Sequence, residues 1–442
     1  MTAPVPSTSP ALAGSPPNDI DSARAWRRLG AAVLLGLIGN VGMWSVVVAL
    51  PAVQADFGLS RAAVSLAYTF TMIGFAIGGV LTGRLADRFG ILLPIVGGTL
   101  ILSAGYVLAG LAPNAVVFEL SYGLLIGMLG SSALFGPLVA HVSLWFSRRR
   151  GIAVAICASG NYIAGAVWPP IIQHMIETIG WRQTHIGIGL ICLVTLLPLS
   201  LAFRRPPPAS DAVPAAGPAS HARPAPTGRP LPPNLLQVLL VVAGIACCVA
   251  MSMPQVHIVA YCGDLGYGAA RGAEMLSLML GLGIISRLAS GFLADRIGGL
   301  RTLLLGSILQ GIALLLYLPF DGLTSLYIVS GLFGLFQGGI VPSYAIIVRE
   351  YFDVRAAATR VGLVFMATLL GMALGGWLSG VIFDLTGSYQ AAFLNGIAWN
   401  LLNVSIVVWL IRRLDPPILR RRGAVGHQSG ANLRTVTTGA SI

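Results

Sequence analysis

The sequence contains no lysine: all 27 of its basic residues are arginine. Acids are scarcer still, 15 in 442 residues, and charged residues make up 10% of the chain, where an ordinary soluble domain carries about 25%. So thin a charge cover excludes a soluble globular protein. The five cysteines, Cys157, Cys192, Cys247, Cys248 and Cys262, include no CxxC pair, so no metal or disulfide role is expected of them. A P-loop, a nucleophile elbow and a metal-ligand cluster are all missing, which leaves ATP hydrolysis and catalysis without support. No cofactor is expected, and the chain does not read as an enzyme.

What fills the sequence is apolar, 56% of the residues. Crossing a hydrocarbon core of roughly 30 Å takes about 20 apolar residues per helix, and twelve runs of that kind occur. They span approximately 30–51, 62–81, 91–112, 117–140, 151–174, 184–203, 235–262, 272–294, 300–318, 324–348, 359–383 and 389–411. The expected fold class is an all-α integral membrane protein with twelve transmembrane helices.

A formal net charge of +12 invites a nucleic-acid reading, but that needs a basic face on a soluble domain, and here the charges punctuate apolar helices. With twelve crossings, Arg61, Arg182 and Arg271 fall on one side, Arg287 lies inside a run, and the remaining 23 arginines fall on the side of the termini. The positive-inside rule then places both termini in the cytosol, and the plasma (inner) membrane is the expected location. The first 23 residues have no basic n-region and no apolar h-region, so they read as a disordered cytosolic tail rather than a signal peptide.

The chain is divided by PPPASDAVPAAGPASHARPAPTGRPLPP at 206–233, ten prolines in 28 residues, which reads as a flexible cytosolic linker. On either side lie six-helix bundles at 24–205 and 234–413, and 414–442 reads as a C-terminal tail. The halves echo each other. GRLADRFG at 83–90 and GFLADRIG at 291–298 agree at six of eight positions, each following the second helix of its half. Two parallel six-helix repeats describe a carrier that rocks one bundle against the other around a midplane site.

Twelve helices with G-x-L-A-D-R-x-G after helices 2 and 8 resemble the major facilitator superfamily. Within it the chain is similar to bacterial members of the monocarboxylate transporter family in DFGLSRAAVSLAYTF (56–70), LWFSRRRGIAVAICASG (144–160) with the WPPII of 168–172, and VHIVAYCGDLG (256–266). The resemblance covers all but the tails and linker. It implies that Asp87, Arg88, Asp295 and Arg296 latch the cytosolic side shut while the outside is open, with Gly83 and Gly291 admitting close helix approach and each Asp starting a tight turn. The alternative is ordinary turn caps plus positive-inside charge. Family members often carry basic residues just after the second glycine, yet Ile91 and Leu92 follow Gly90, so a weaker first latch is expected.

Arg287 is eight residues, about 12 Å at 1.5 Å per residue, deeper than Asp295, close to the middle of the core. A central arginine costs between about 3 and 17 kcal/mol unless it faces a wet cavity with an anionic partner. Helix 8 offers no carboxylate within a turn of Arg287, since Gly283 stands one turn earlier. A substrate carboxylate answers the need, because a planar guanidinium holds it with two parallel hydrogen bonds. The competing reading is pairing with a carboxylate from another helix. The resemblance implies the same receptor role for Arg287. Animal members commonly add an aspartate one turn earlier and a lysine in helix 1. Here the first is Gly283 and lysine is absent, so that proton-relay scheme does not transfer.

His257, in MPQVHIVAY, is the candidate proton carrier, because an imidazole titrates near neutral pH and Pro254 one turn earlier is able to open the helix. The resemblance implies a substrate-site histidine in this part of helix 7; the alternative is a histidine satisfied at the outer surface. Asn40 and Trp44, Asn161 and Tyr162, and Gln337 and Tyr344 are candidate cavity-lining residues, each open to a packing role instead. His141, His174 and His185 are expected at the interface. The leading expectation is a monomeric secondary transporter of small organic monocarboxylates, moving an anion with a proton or against a counter-anion. An efflux carrier for a drug or hydrophobic metabolite is the alternative, although cationic cargo fits poorly with a span set lacking a clear midplane acid. A transport-shaped sensor is the alternative from another class.

Overall fold

Serine and asparagine side-chain oxygens cap the starts of some helices, and glycines end others. Ser60 Oγ accepts from the Ala63 N–H and Asn114 Oδ1 accepts from the Val117 N–H, each supplying an acceptor to a first-turn donor. At the other end, Gly90 (φ 80°) and Gly298 (φ 89°) adopt left-handed backbone in the same place of each half, which an L side chain resists. In the computed structural model of the chain, residues 20–205 and 231–414 are described, and they are almost wholly helical. Most of the proline-rich stretch at 206–233 and of the two tails, 1–23 and 414–442, lies outside the described residues.

Eleven helical stretches are long and apolar enough to cross a membrane. One of them, Arg150–Phe203, has 54 residues and is broken at Gly180, whose backbone (φ 80°, ψ 157°) is not helical. As a straight helix it would run about 81 Å, far more than one bilayer. We number the segments α1 (Ala23–Phe57), α2 (Arg61–Phe89), α3 (Leu92–Gly110), α4 (Ala115–Ser143), α5 (150–179), α6 (181–203), α7 (Pro233–Asp264), α8 (Ala269–Ile297), α9 (Gly299–Leu316), α10 (Leu323–Tyr351), α11 (Val354–Thr386) and α12 (Tyr389–Leu414). Each expected apolar run sits on one of them. Several helices continue past the bounds that hydropathy indicates, because their last turns carry charges, as Asp87, Arg88, Asp295 and Arg296 do.

Packing separates α1–α6 from α7–α12, with α2 against α11 and α5 against α8 as the main seams between halves. On one face the chain's described beginning is tied down. Asp21 accepts from Ser147 Oγ at 2.8 Å and the Arg148 N–H at 3.0 Å, and the Arg28 guanidinium lies 4.1 Å from the Trp145 ring centroid and donates to the Arg205 carbonyl. We call this the terminal face. The opposite, far face carries Arg61, Arg182 and Arg271, and each is ion-paired: with Asp264, Asp56 and Glu274, respectively.

Candidate functional site: a cavity between the halves

The far face is shut by contacts across the halves. Arg61 of α2 is buried and donates to both carboxylate oxygens of Asp264 of α7, at 3.0 and 2.9 Å. Asp384, near the end of α11, accepts from the Arg61 and Ala62 backbone N–H groups at 2.9 and 2.7 Å, closing the start of α2 with an anion where helix-start donors are unpaired. Nearer the middle, Thr69 Oγ1 donates to the Ala373 carbonyl at 3.0 Å, and Ser277 of α8 donates to the Ala166 carbonyl of α5.

At the terminal face no ion pair joins the repeated octapeptides among the described residues. Asp87, Arg88, Asp295 and Arg296 are exposed. Two expectations need correction here. Asp87 and Asp295 lie in the last helical turn rather than starting the connection, which is made by Gly90 and Gly298. A Cβ at Gly83 or Gly291 would meet nothing within 4 Å, so neither permits a close approach in this arrangement.

Between the closed far face and the open terminal face lies a cavity whose space, open solvent included, is about 620 Å³. Arg287 lines it. Its guanidinium lies 4.3 Å from the centroid of the Tyr162 ring of α5 and Nη1 donates to the Ala158 carbonyl at 3.4 Å, a long bond. Its Nε is buried without an acceptor, and no acidic side chain lines the cavity. Gly283 shapes this arrangement. A Cβ there would stand 2.6 Å from Tyr162 Cε1, so the missing side chain is what lets the ring sit beneath the arginine.

Of the other expected site residues, Asn161, Tyr162 and Trp44 line the cavity and the rest do not. Trp44 directs its indole N–H to the Asn161 carbonyl and Oδ1 at 3.1 and 3.2 Å. Gln337 sits one layer behind, accepting from Gln255 Nε2 at 2.8 Å, and it is Gln255 that reaches the cavity. Asn40 turns back on its own helix, donating to the Gly36 carbonyl at 2.7 Å. Tyr344 is held inside the second half by Asn403 Nδ2 at 2.9 Å and Cys247 Sγ. His257 is fully buried among α7, α11 and α12: Nε2 pairs with the Gly376 carbonyl at 2.8 Å and Nδ1 with the Tyr389 hydroxyl at 3.3 Å. Both ring nitrogens are therefore engaged away from Arg287.

His141 and His185, expected at the interface, are buried. His185 Nε2 pairs with Tyr122 Oη at 2.7 Å, and Ser45 links Tyr122 to Tyr106; His174 is exposed. Sequence reasoning missed most of the apolar wall. Met43, Met72, Met251 and Met372, on α1, α2, α7 and α11, all face the cavity. A methionine in a run of apolar residues carries no mark that separates a cavity wall from a packed core.

The family described as Major Facilitator Superfamily matches residues 32–324 and 274–438. Monocarboxylate transporter 13 of Rattus norvegicus is 28% identical over 353 residues, 78% of each chain. The MFS transporter asaE of Aspergillus flavus is 24% identical over 71% of this chain and 69% of its own. Among solved structures, a bacterial homologue of the human lysosomal transporter Spinster, in an inward-facing and occupied conformation, superposes with a TM-score of 0.65 at 15% identity, over 92% of this chain and 98% of that one. At that identity the likeness concerns the fold.

Proposed function

The chain belongs to the Major Facilitator Superfamily, a multi-pass membrane transporter, and we propose that its cargo is a small organic monocarboxylate carried by alternating access. One observation carries this reading: Arg287, a charge with an unpartnered buried Nε, faces a cavity between the halves that holds no acid. A guanidinium in that position lowers its free energy most by meeting an anion, and a carboxylate matches its donors in plane. The similarity to monocarboxylate transporters at 28% identity supports the same class.

Twelve crossings put 23 of the 27 arginines in the sequence on the side of the termini, which makes the terminal face cytosolic by the positive-inside rule, and the plasma membrane is the proposed location. The arrangement described above is then inward-open. In the opposite state Asp87, Arg88, Asp295 and Arg296 close the cytosolic face while the Arg61–Asp264 pair parts. Either lock is worth only a few kcal/mol, because a carrier that crosses between states requires them nearly balanced. Movement of the anion is accompanied by a proton or balanced by a counter-anion.

The test is uptake of radiolabelled monocarboxylates into proteoliposomes, with and without an inward proton gradient, by the wild type and Arg287→Ala. Loss of uptake in a variant that still reconstitutes and unfolds at the wild-type temperature supports the assignment; undiminished transport by Arg287→Ala removes it. Export of a hydrophobic metabolite is a second reading, favoured by the four methionines on the wall. Counterflow exchange of acids, which is independent of direction, separates cargo identity from direction.

A further inference from the structure

We propose that the cargo is a carboxylate carrying a bulky apolar, preferably aromatic, body, and that a two- or three-carbon hydroxy or keto acid is a poor fit. This rests on the reading of Arg287 as the anion receptor and concerns the remainder of the ligand.

The cavity is divided by chemistry. Where α5 meets α8 its groups are polar: the Arg287 guanidinium, the Tyr162 hydroxyl and the Asn161 side chain all line it. The Tyr162 hydroxyl has no hydrogen-bond partner among the described residues, so it remains available beside the guanidinium. A carboxylate accepts from both.

Elsewhere the wall is mostly apolar. The Trp44 indole N–H is used by Asn161, so the ring offers its hydrocarbon surface. Gln255 gives its amide nitrogen to Gln337, and the Thr368 hydroxyl donates to the Phe365 carbonyl at 2.7 Å. A ligand hydroxyl placed there finds few donors and loses its water, a poor exchange. Leu369, Val341, Cys248 and Tyr68 line it too, together with the methionines.

Four of the chain's 11 methionines lie on this one wall. Two come from each half: Met43 and Met72 from the first, Met251 and Met372 from the second. Unbranched thioether side chains repack at low cost and make favourable sulfur–aromatic contacts. A wall built from both halves must remain in contact with the cargo as the halves rock, and methionine is suited to that.

The experiment is titration calorimetry of the purified full chain in detergent with three probes: phenylpyruvate, pyruvate and 3-phenylpropanol. The first two share a head group and differ by the ring; the third keeps the ring and lacks the carboxylate. Burying the ring against the wall predicts phenylpyruvate binding at least about tenfold tighter than pyruvate, with no measurable binding of the alcohol. Met372→Ser, in a variant whose unfolding temperature matches the wild type, should weaken phenylpyruvate several-fold; undiminished phenylpyruvate binding by that variant overturns the apolar-body assignment. Pyruvate binding as tightly as phenylpyruvate overturns the apolar-body assignment and leaves the carboxylate reading standing. The alcohol binding as tightly as phenylpyruvate, or neither acid binding, overturns the carboxylate reading itself and this inference with it.

Discussion

Gly283 of α8 lies against the ring of Tyr162 of α5, so closely that a Cβ on the glycine would stand 2.6 Å from Cε1. The same ring carries the Arg287 guanidinium, 4.3 Å from its centroid. One absent side chain therefore sets the position of the arginine's aromatic support, and cation–π contacts of this kind are worth about 0.5–2 kcal/mol. The consequences are measurable.

Alanine at position 283 gains about 0.5–1 kcal/mol of helix propensity and incurs overpacking of about 1–3 kcal/mol if nothing yields. Tyr162 borders the cavity, so the ring swings away and most of the strain is relieved. Gly283→Ala is expected to unfold within about 1 kcal/mol of the wild type, while carboxylate affinity in calorimetry falls about tenfold as Arg287 loses its support. Unchanged affinity would show that the ring does not position the arginine.

At the far face, Arg61 ties α2 to Asp264 of α7 through two charge-assisted hydrogen bonds, each of a kind worth about 1.5–3 kcal/mol, reduced here because Asp264 is partly exposed. Arg61→Gln is expected to shift the balance toward a state open at the far face by about tenfold or more. Spin labels at Ser60→Cys and Tyr267→Cys, read by double electron–electron resonance, should show a longer distance gaining population. The native cysteines are all buried and do not compete for label. An unaltered distance distribution argues that the pair does not lock this face.

His257 bonds to the Gly376 carbonyl and the Tyr389 hydroxyl rather than to the cavity. Replacing it with phenylalanine strands buried polar groups at a cost of about 1–3 kcal/mol. His257→Phe is therefore expected to lower thermal stability while carboxylate affinity stays within about threefold of the wild type. A variant of normal stability with abolished proton-driven uptake would instead restore the proton-carrier role.

Asp21, outside the membrane-spanning segments, has its carboxyl held below the usual aspartate range. Its modest burial pushes the pKa up, but hydrogen bonds from the Arg148 backbone and the Ser147 hydroxyl and backbone pull it further down. A lowered folded-state pKa means that the stabilisation is present above the unfolded value of 3.8 and is lost as pH falls through the folded value. Asp21→Asn should accordingly raise hydrogen exchange in residues 145–150 at neutral pH, with the difference from wild type disappearing only below about pH 4. A difference that persists in stronger acid would assign the effect to shape rather than charge.

Hydropathy, arginine placement and the repeated octapeptide were sufficient to read a helical membrane protein in two halves, because those signals are local: one run of apolar residues makes one helix whatever surrounds it. Arg287 was legible for the same reason, since a charge deep in an apolar run has a large desolvation cost in any fold. What only tertiary packing decided was which faces meet. Helix phase sent Asn40 and Tyr344 into the interiors of their own halves and His257 against α11 and α12, and it turned four methionines toward the cavity. It also decided which face is shut, since Arg61, Asp264 and Asp384 are over a hundred residues apart in sequence and meet only when α2, α7 and α11 pack together. Contact between distant helices depends on the rotation of each about its axis, and no single helix's sequence records its neighbour's.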